Sequence, residues 1–214
     1  MTVSNLTRAD LEAMDRETRA RLINCLPGYK SAMLVGTCDA DRLTNLAIIS
    51  SHFHLGSAPP LLAMILRPDT GRSERHTLDN LLATRYWTLN AFKLDEAAQA
   101  HQTSAPYPKN ESEFDACGFS EEWKPGCPAP FVAASPLQVA CRLREHRRLE
   151  INGTHLIIGE VETLHFPSHA LRSDGALSLA RMGVAAISGL DTYTQPDAGI
   201  SFQAASTDTA PTRL

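Results

Sequence analysis

The sequence predicts a mainly β fold, a barrel decorated by a few helices. Six runs of apolar or β-branched residues are bounded by Gly, Pro, Asp or Asn, which is typical of strands. Turn signals lie between them, and the Asn152-Gly153 pair predicts a β-hairpin because strand-like runs flank it. The predicted strands cover residues 31–37, 46–50, 61–66, 86–92, 138–147 and 155–165.

Helices are predicted mainly outside these runs. One helix is expected over residues 7–25, because Thr7 can cap it and Asp10 stands three residues later. Shorter helices are expected over 77–83 and 94–103. We divide the chain into an N-terminal helical extension (1–26), a barrel domain (27–195) and a mobile tail (196–214).

One insertion interrupts this plan. The segment 105–130 is rich in Pro, Gly and charged residues and predicts a long excursion from the barrel. Its part from residue 114 onward carries Trp123 and two cysteines, and it could fold over a bound ligand and narrow access to it.

Composition excludes several classes of protein. The chain has 214 residues, 43% of them hydrophobic, and a formal net charge of −4, which suits one globular domain without a nucleic-acid-binding face. Its basic cluster alternates with glutamates and is interpreted as a solvated strand face; it contains Arg142, Arg144, Arg147 and Arg148. Neither a signal peptide nor a membrane span is expected, and the five cysteines show no CxxC spacing. These features favour a cytoplasmic protein with free thiols.

The stretch "NLAIISSHFHLGSAPPLLAMIL", residues 45–66, places hydroxyl groups and two histidines between apolar runs. On a strand, His52 and His54 would share one face, which is an acceptable spacing for a metal pair. No third ligand stands nearby in the sequence, although Asp79 or His101 could be brought close by the fold. The alternative is a buried structural histidine bonded to the backbone.

The next stretch, "RPDTGRSERHTLDN", offers several cations and a hydroxyl where a helix should begin. Cationic side chains, a hydroxyl and the free amides of a helix N-terminus are suited to a phosphate. A charged surface loop with a threonine cap is the alternative. Together with the serine-rich strand before it, this segment could hold the two ends of an elongated phosphorylated cofactor.

Familiar catalytic signatures are absent from the sequence. It contains no GxGxxG after a strand, no GxxxxGK[ST], no GxSxG and no HExxH. A nicotinamide cofactor would therefore bind without a Rossmann fingerprint.

An ordered set of segments resembles the flavin reductase-like family: "LPGYKSAMLVGT", "NLAIISSHFHLGSAPPLLAMILRP", "RHTLDNLLATRYWTLNAF", "AHQTSAPY" and "LIIGEVETLHFP". The similarity covers roughly residues 27–193. The resemblance implies an FMN-binding split β-barrel that forms a homodimer, with FMN at or near the subunit interface.

The resemblance also implies roles for individual residues. Polar contacts to flavin would come from Asn45, Ser50 and Ser51, while the backbone around His52 and Phe53 would line the ring. The phosphate would be bound by Arg67, Arg75, His76 and Thr77. Asn90 would support the site unless it only makes a strand-end hydrogen bond, and His101, Thr103 and Ser104 would lie near the flavin, from the partner subunit. His54 or His155 would position a nicotinamide.

The function expected from this resemblance is an NAD(P)H-dependent flavin reductase that transfers a hydride to flavin N5, with FMN as cofactor and NADH or NADPH as co-substrate. One alternative is a flavoredoxin-like FMN electron carrier that takes electrons from a redox protein partner. The other is a metal-binding β-barrel that uses His52 and His54. No nucleic-acid or membrane partner is expected.

Overall fold

The structure is a computed structural model that describes residues 3–68, 76–197 and 199–214. Its helices are α1 (Arg8–Ala13), α2 (Arg16–Cys25), α3 (His76–Thr84), α4 (Ala97–Gln102) and α5 (Glu113–Ala116). Its strands are β1 (Tyr29–Ser31), β2 (Met33–Cys38), β3 (Thr44–Ile49), β4 (His52–Ser57), β5 (Pro60–Leu66), β6 (Tyr86–Ala91), β7 (Glu121–Glu122), β8 (Phe131–Val132), β9 (Gln138–Arg148), β10 (His155–His165), β11 (Ala186–Ser188) and β12 (Thr192–Thr194).

Seven of these strands form one antiparallel sheet in the order β3-β2-β6-β9-β10-β5-β4. Its two edge strands, β3 and β4, are consecutive in the chain and are separated only by Ser50 and Ser51. The sheet must therefore curl until its edges approach each other. The result is a split barrel, which confirms the predicted mainly β fold class.

Two apolar cores lie on the two faces of this sheet. The inner core fills the barrel with side chains such as Val35, Met64 and Trp87, and α3 contributes Leu78 and Leu81 to it. The outer core, around residues that include Leu34, Leu46 and Phe114, packs the sheet against α4, α5 and the small β1-β11-β12 sheet. The excursion and the C-terminal strands thus cover the outside of β2 and β3.

The predicted hairpin is present between β9 and β10. Gly153 adopts a φ of 73°, and the Asn152 side chain accepts hydrogen bonds from the backbone N–H and hydroxyl of Thr154. Left-handed backbone conformations of this kind favour glycine. The Asn-Gly signal therefore located the turn correctly.

The helix predicted over residues 7–25 is two helices. Thr7 caps the first with Asp10, as expected, but Met14 adopts an extended conformation. The Asp15 carboxylate then accepts hydrogen bonds from the N–H groups of Glu17 and Thr18 and starts the second helix. Asp is a strong N-cap residue, and here it starts a new helix within the stretch predicted as one.

Residues 52–57, which contain the two histidines between the apolar runs, form a strand that was not predicted from the sequence. It forms β4, which pairs with β5 from His52↔Met64 to Ser57↔Pro60. Its alternating pattern is hidden because most of its side chains are partly or fully exposed at the sheet edge.

No helix within the described residues is long and apolar enough to cross a membrane. The division into extension, barrel domain and tail stays a prediction.

Candidate functional site

A buried polar cluster joins the start of β3 to the start of α3. Asn45 Nδ2 donates to Thr77 Oγ1 at 3.0 Å and to Thr37 Oγ1 at 3.4 Å. Asn80 Nδ2, from the next turn of α3, also donates to Thr37 at 3.3 Å. Because Thr77 accepts in this contact, its own hydroxyl proton can be donated to a ligand. The first N–H groups of a helix also have no partner within the helix.

His76, the first described residue of α3, stands beside this cluster. It lines a small cleft together with Asn45, Asn80 and Lys109. The structure therefore brings together three of the residues predicted to bind flavin, namely Asn45, His76 and Thr77. The predicted phosphate ligand Arg75, and Arg72 in the same loop, lie outside the described residues.

Side chains cap the free edge of β3. Glu113 Oε2 accepts from the Leu46 N–H at 2.9 Å, and Thr103 Oγ1 accepts from the Ile48 N–H at 2.9 Å. The Thr103 hydroxyl in turn donates to the Ala100 carbonyl at 2.8 Å. These contacts satisfy edge groups that would otherwise template another strand. They also fix against β3 the segment that contains His101, Thr103 and Ser104, which was predicted to lie near the flavin.

Glu113 is the titratable side chain in these edge contacts. It is only 6% exposed. Burial raises the pKa of its carboxyl group, and the hydrogen bond from Leu46 partly opposes that rise.

The serine-rich end of β3 lies at the split of the barrel. Ser50 is half-buried and Ser51 is exposed, while the Ser51 carbonyl accepts from the Ile65 N–H at 2.8 Å. Six residue steps separate Asn45 from Ser51, which corresponds to about 20 Å along an extended chain. The predicted polar residues thus mark an elongated path along β3, from the α3 cluster to the barrel split.

The two histidines of β4 have different partners. His52 Nε2 lies 2.8 Å from Ser31 Oγ, and His54 Nε2 lies 3.1 Å from Ser57 Oγ. Burial lowers the pKa of His52. Within the described part of the chain, no three His, Cys, Asp or Glu side chains converge as a metal site would require. The metal-binding alternative therefore gains no support.

Asn90 lies deep in the core and is fully buried. Its Nδ2 donates to the Leu34 carbonyl at 3.2 Å and to Thr88 Oγ1 at 2.8 Å, and its Oδ1 accepts from the Val132 N–H at 3.0 Å. The side chain ties β6 to β2 and β8. This matches the structural alternative considered for it, and any support it gives to a ligand is indirect.

The remaining three candidates are His101, Arg67 and His155. His101 is exposed, and its Nδ1 lies 2.9 Å from the Tyr193 hydroxyl. Arg67 is exposed just after β5. His155 opens β10, and its Nδ1 lies 2.8 Å from His146 Nε2 in a stacked pair of rings. Burial lowers the pKa of His155, and the neighbouring His146 and Arg148 lower it further.

The sequence analysis missed Glu113 and Ser31. Each acts on a residue distant in sequence, Glu113 on Leu46 and Ser31 on His52. Nothing in the sequence around either residue indicates its distant partner, so only the folded chain reveals these contacts.

Comparisons with known proteins agree with this architecture. A split-barrel protein from Shewanella frigidimarina NCIMB 400, assigned as a flavin reductase, is 41% identical, with a TM-score of 0.89 over 95% of this chain and 100% of that chain. Flavoredoxin of Desulfovibrio vulgaris (Miyazaki F) is 20% identical, with a TM-score of 0.71 over 85% of this chain and 94% of that chain. The NADH:FAD oxidoreductase of Streptomyces globisporus C-1027 is 14% identical, with a TM-score of 0.69 over 92% of this chain and 100% of that chain. The last two likenesses concern the fold alone.

The family model described as "Flavin reductase like domain" matches residues 27–187, which span the barrel from β1 to β11. The chain therefore belongs to the flavin reductase-like family of split-barrel flavoprotein oxidoreductases.

Proposed function

We propose that this chain is an NAD(P)H-dependent flavin reductase that binds FMN and acts as a homodimer. The observation that carries the proposal is the path along β3, which has polar groups at its two ends: the Asn45–Thr77 contact at one end and Ser51 at the other. Its length of about 20 Å suits an elongated cofactor with a phosphate at one end and a ring system at the other.

The α3 end of this path suits the phosphate. The Thr77 hydroxyl and the N–H groups of the first described turn of α3 lie at this end, and His76 is proposed to contribute its side chain. Such a set donates hydrogen bonds to an anion and places it at the positive end of the helix dipole. Arg67 and Arg75 are proposed to add charge from the adjoining loop.

The barrel split suits the flavin ring. Ser50 and Ser51 offer polar groups there, and Phe53 is 44% exposed beside them. Thr103 and Ser104 approach β3 from the outside, because Thr103 is bonded to Ile48. Bound FMN would supply hydride-accepting chemistry of its own, so the protein needs to bind, orient and shield it rather than provide an acid or base.

The proposed dimer rests on the exposed edge strand β4. Phe53 and Leu55 are 44% and 45% exposed on this strand, beside the proposed ring position. Exposed apolar side chains on an edge strand are suited to burial against another chain. An isologous contact through this edge would give two equivalent sites.

A steady-state assay tests the proposal. Purified chain supplied with excess FMN is expected to oxidise NADH or NADPH, detected as loss of the reduced-nicotinamide absorbance. Each nucleotide is tested separately, with a heat-denatured sample as control.

Light scattering should give a particle of about twice the 23.3 kDa chain mass.

Two outcomes would contradict the proposal in different ways. A chain that retains FMN but consumes neither nucleotide would be a flavoredoxin-like carrier, which the likeness in fold to flavoredoxin makes the second candidate. A chain that binds no FMN would refute the flavin site itself.

A further inference from the structure

The mouth of the barrel holds a chamber of about 250 Å³ beside β4. Its wall is largely apolar and comes from inward-facing strand residues and from the segment that precedes β11. Its apolar lining includes Met33, Leu62, Leu89, Val139, Leu179 and Val184.

The chamber is separate from the polar cluster at α3. Alternate residues of a strand face the same side, so Met33, Val35 and Thr37 follow one another along the inner face of β2. Met33 lines the chamber, whereas Thr37 contacts Asn45 and Asn80 in the polar cluster. Val35 lies between them and is 1% exposed, packed in the inner core. A ligand in the polar cluster therefore cannot reach the chamber through the barrel interior.

The polar character of the chamber is concentrated in one hydrogen-bonded pair. Ser31 Oγ and His52 Nε2 lie 2.8 Å apart on its wall, and the two residues come from β1 and β4. When His52 Nε2 donates to Ser31 Oγ in this contact, the Ser31 hydroxyl keeps its own hydrogen for a ligand oxygen. Burial lowers the pKa of His52 and so disfavours the charged form of the ring.

Charged side chains are missing from this wall. None of the described residues that line the chamber is Lys, Arg, Asp or Glu. His54 also lines it, with its Nε2 near Ser57. A charged ligand would therefore lose hydration without gaining a counter-ion.

We propose that this chamber binds a small, uncharged, single-ring organic compound whose oxygen takes a hydrogen bond from the Ser31–His52 pair. The volume is appropriate, because apolar protein cavities of roughly 150 Å³ accept benzene. Phe53 lines the chamber and also stands at the proposed flavin ring position. An occupant would lie beside that ring, where an organic substrate of a flavoprotein is needed. The inference goes beyond the reductase activity, and the binding itself does not depend on flavin.

Binding of acetophenone to the full-length chain tests the inference. Acetophenone is neutral, has one ring and carries one carbonyl oxygen; benzoate is its charged counterpart, and isopropylbenzene has a similar shape without oxygen. Saturation-transfer NMR is measured with and without saturating FMN. We expect saturable binding of acetophenone that FMN does not displace, and benzoate binding at least about tenfold weaker.

Two variants locate the site. Val139→Phe should fill the chamber and abolish binding of both neutral compounds. Ser31→Ala, which keeps the strand and removes only the hydroxyl, should weaken acetophenone binding by roughly three- to tenfold and leave isopropylbenzene binding within about twofold. Circular dichroism shows whether Val139→Phe still folds. If it does not fold, Ser31→Ala alone decides the test.

The inference is overturned if acetophenone shows no saturable binding, if benzoate binds equally well, or if FMN displaces acetophenone. It is also overturned if Ser31→Ala changes the binding of neither acetophenone nor isopropylbenzene. Nucleotide oxidation measured on the same sample keeps the two proposals apart. A chain that binds acetophenone but oxidises neither nucleotide would refute only the proposed reductase function. A chain that oxidises them but binds no acetophenone would refute only this inference.

Discussion

Thr103→Val tests whether Thr103 holds the β3 edge or serves only as a flavin neighbour. Valine has nearly the same shape, so the change removes a hydroxyl and little volume. Thr103 is 3% exposed, and its hydroxyl accepts from the Ile48 N–H and donates to the Ala100 carbonyl. The variant loses both hydrogen bonds and leaves the Ile48 N–H without its side-chain acceptor.

The expected cost follows from these contacts. Removal of the acceptor for the Ile48 N–H leaves that donor unsatisfied, which costs about 1–3 kcal/mol, and loss of the hydrogen bond to the Ala100 carbonyl costs about 0.5–1.5 kcal/mol. We therefore expect the free energy of unfolding to fall by about 2–4 kcal/mol. For a chain of this size each kcal/mol corresponds to a Tm change of roughly 2–4 °C.

Urea and thermal unfolding of the flavin-free chain, followed by circular dichroism, measure the effect. Thr163→Val is the matched control, because Thr163 is an exposed strand residue in β10. The control should stay within about 0.5 kcal/mol of the unmodified chain. A Thr103→Val chain that is equally stable without flavin but binds FMN more weakly would refute the edge-capping role.

Two further changes probe the barrel and the buried acid. Gly159→Ala would place a Cβ against the Trp87 ring, so we expect at least about 2 kcal/mol of destabilisation and altered tryptophan fluorescence. The control Gly56→Ala, whose Cβ would have ordinary 3.6 Å contacts, should be nearly neutral. Equal stability of the two variants would contradict the close packing around Gly159. Burial raises the pKa of Glu113 in the folded chain. As the pH rises from the unfolded-state pKa through the folded-state pKa, the carboxyl group ionises and the free energy of unfolding falls. The Tm of Glu113→Gln relative to the unmodified chain should therefore increase from about pH 4 to pH 8, and a pH-independent difference would refute the raised pKa.

Local patterns in the sequence were enough to predict most of the barrel. The Asn152-Gly153 turn and the long apolar runs on each side correspond to β9 and β10, and α3 includes all of the helix predicted over residues 77–83. These elements are specified by short-range preferences for turns, strands and caps. The resemblance to a known family then supplied the way in which they assemble.

The missed features depend on contacts between distant segments. β4 was not predicted because an edge strand with both faces partly exposed shows no clear alternation, and its pairing partner β5 decides its conformation. Glu113 reaches Leu46 from 67 residues away, and Ser31 reaches His52 from 21 residues away. Asn90 looked like a candidate ligand contact because its sequence neighbours do not reveal the three core hydrogen bonds that it makes.

The most direct test of the proposed flavin site compares the dissociation constants of FMN and riboflavin by fluorescence quenching, in the unmodified chain and in Thr77→Val. The two ligands differ only in the phosphate, and one charge-assisted hydrogen bond contributes about 1.5–3 kcal/mol. A phosphate bound at the Asn45–Thr77 cluster predicts that FMN binds at least about tenfold more tightly than riboflavin, and that Thr77→Val reduces this preference. Equal affinity for the two flavins, or a preference that Thr77→Val leaves unchanged, would contradict the placement of the phosphate at the start of α3.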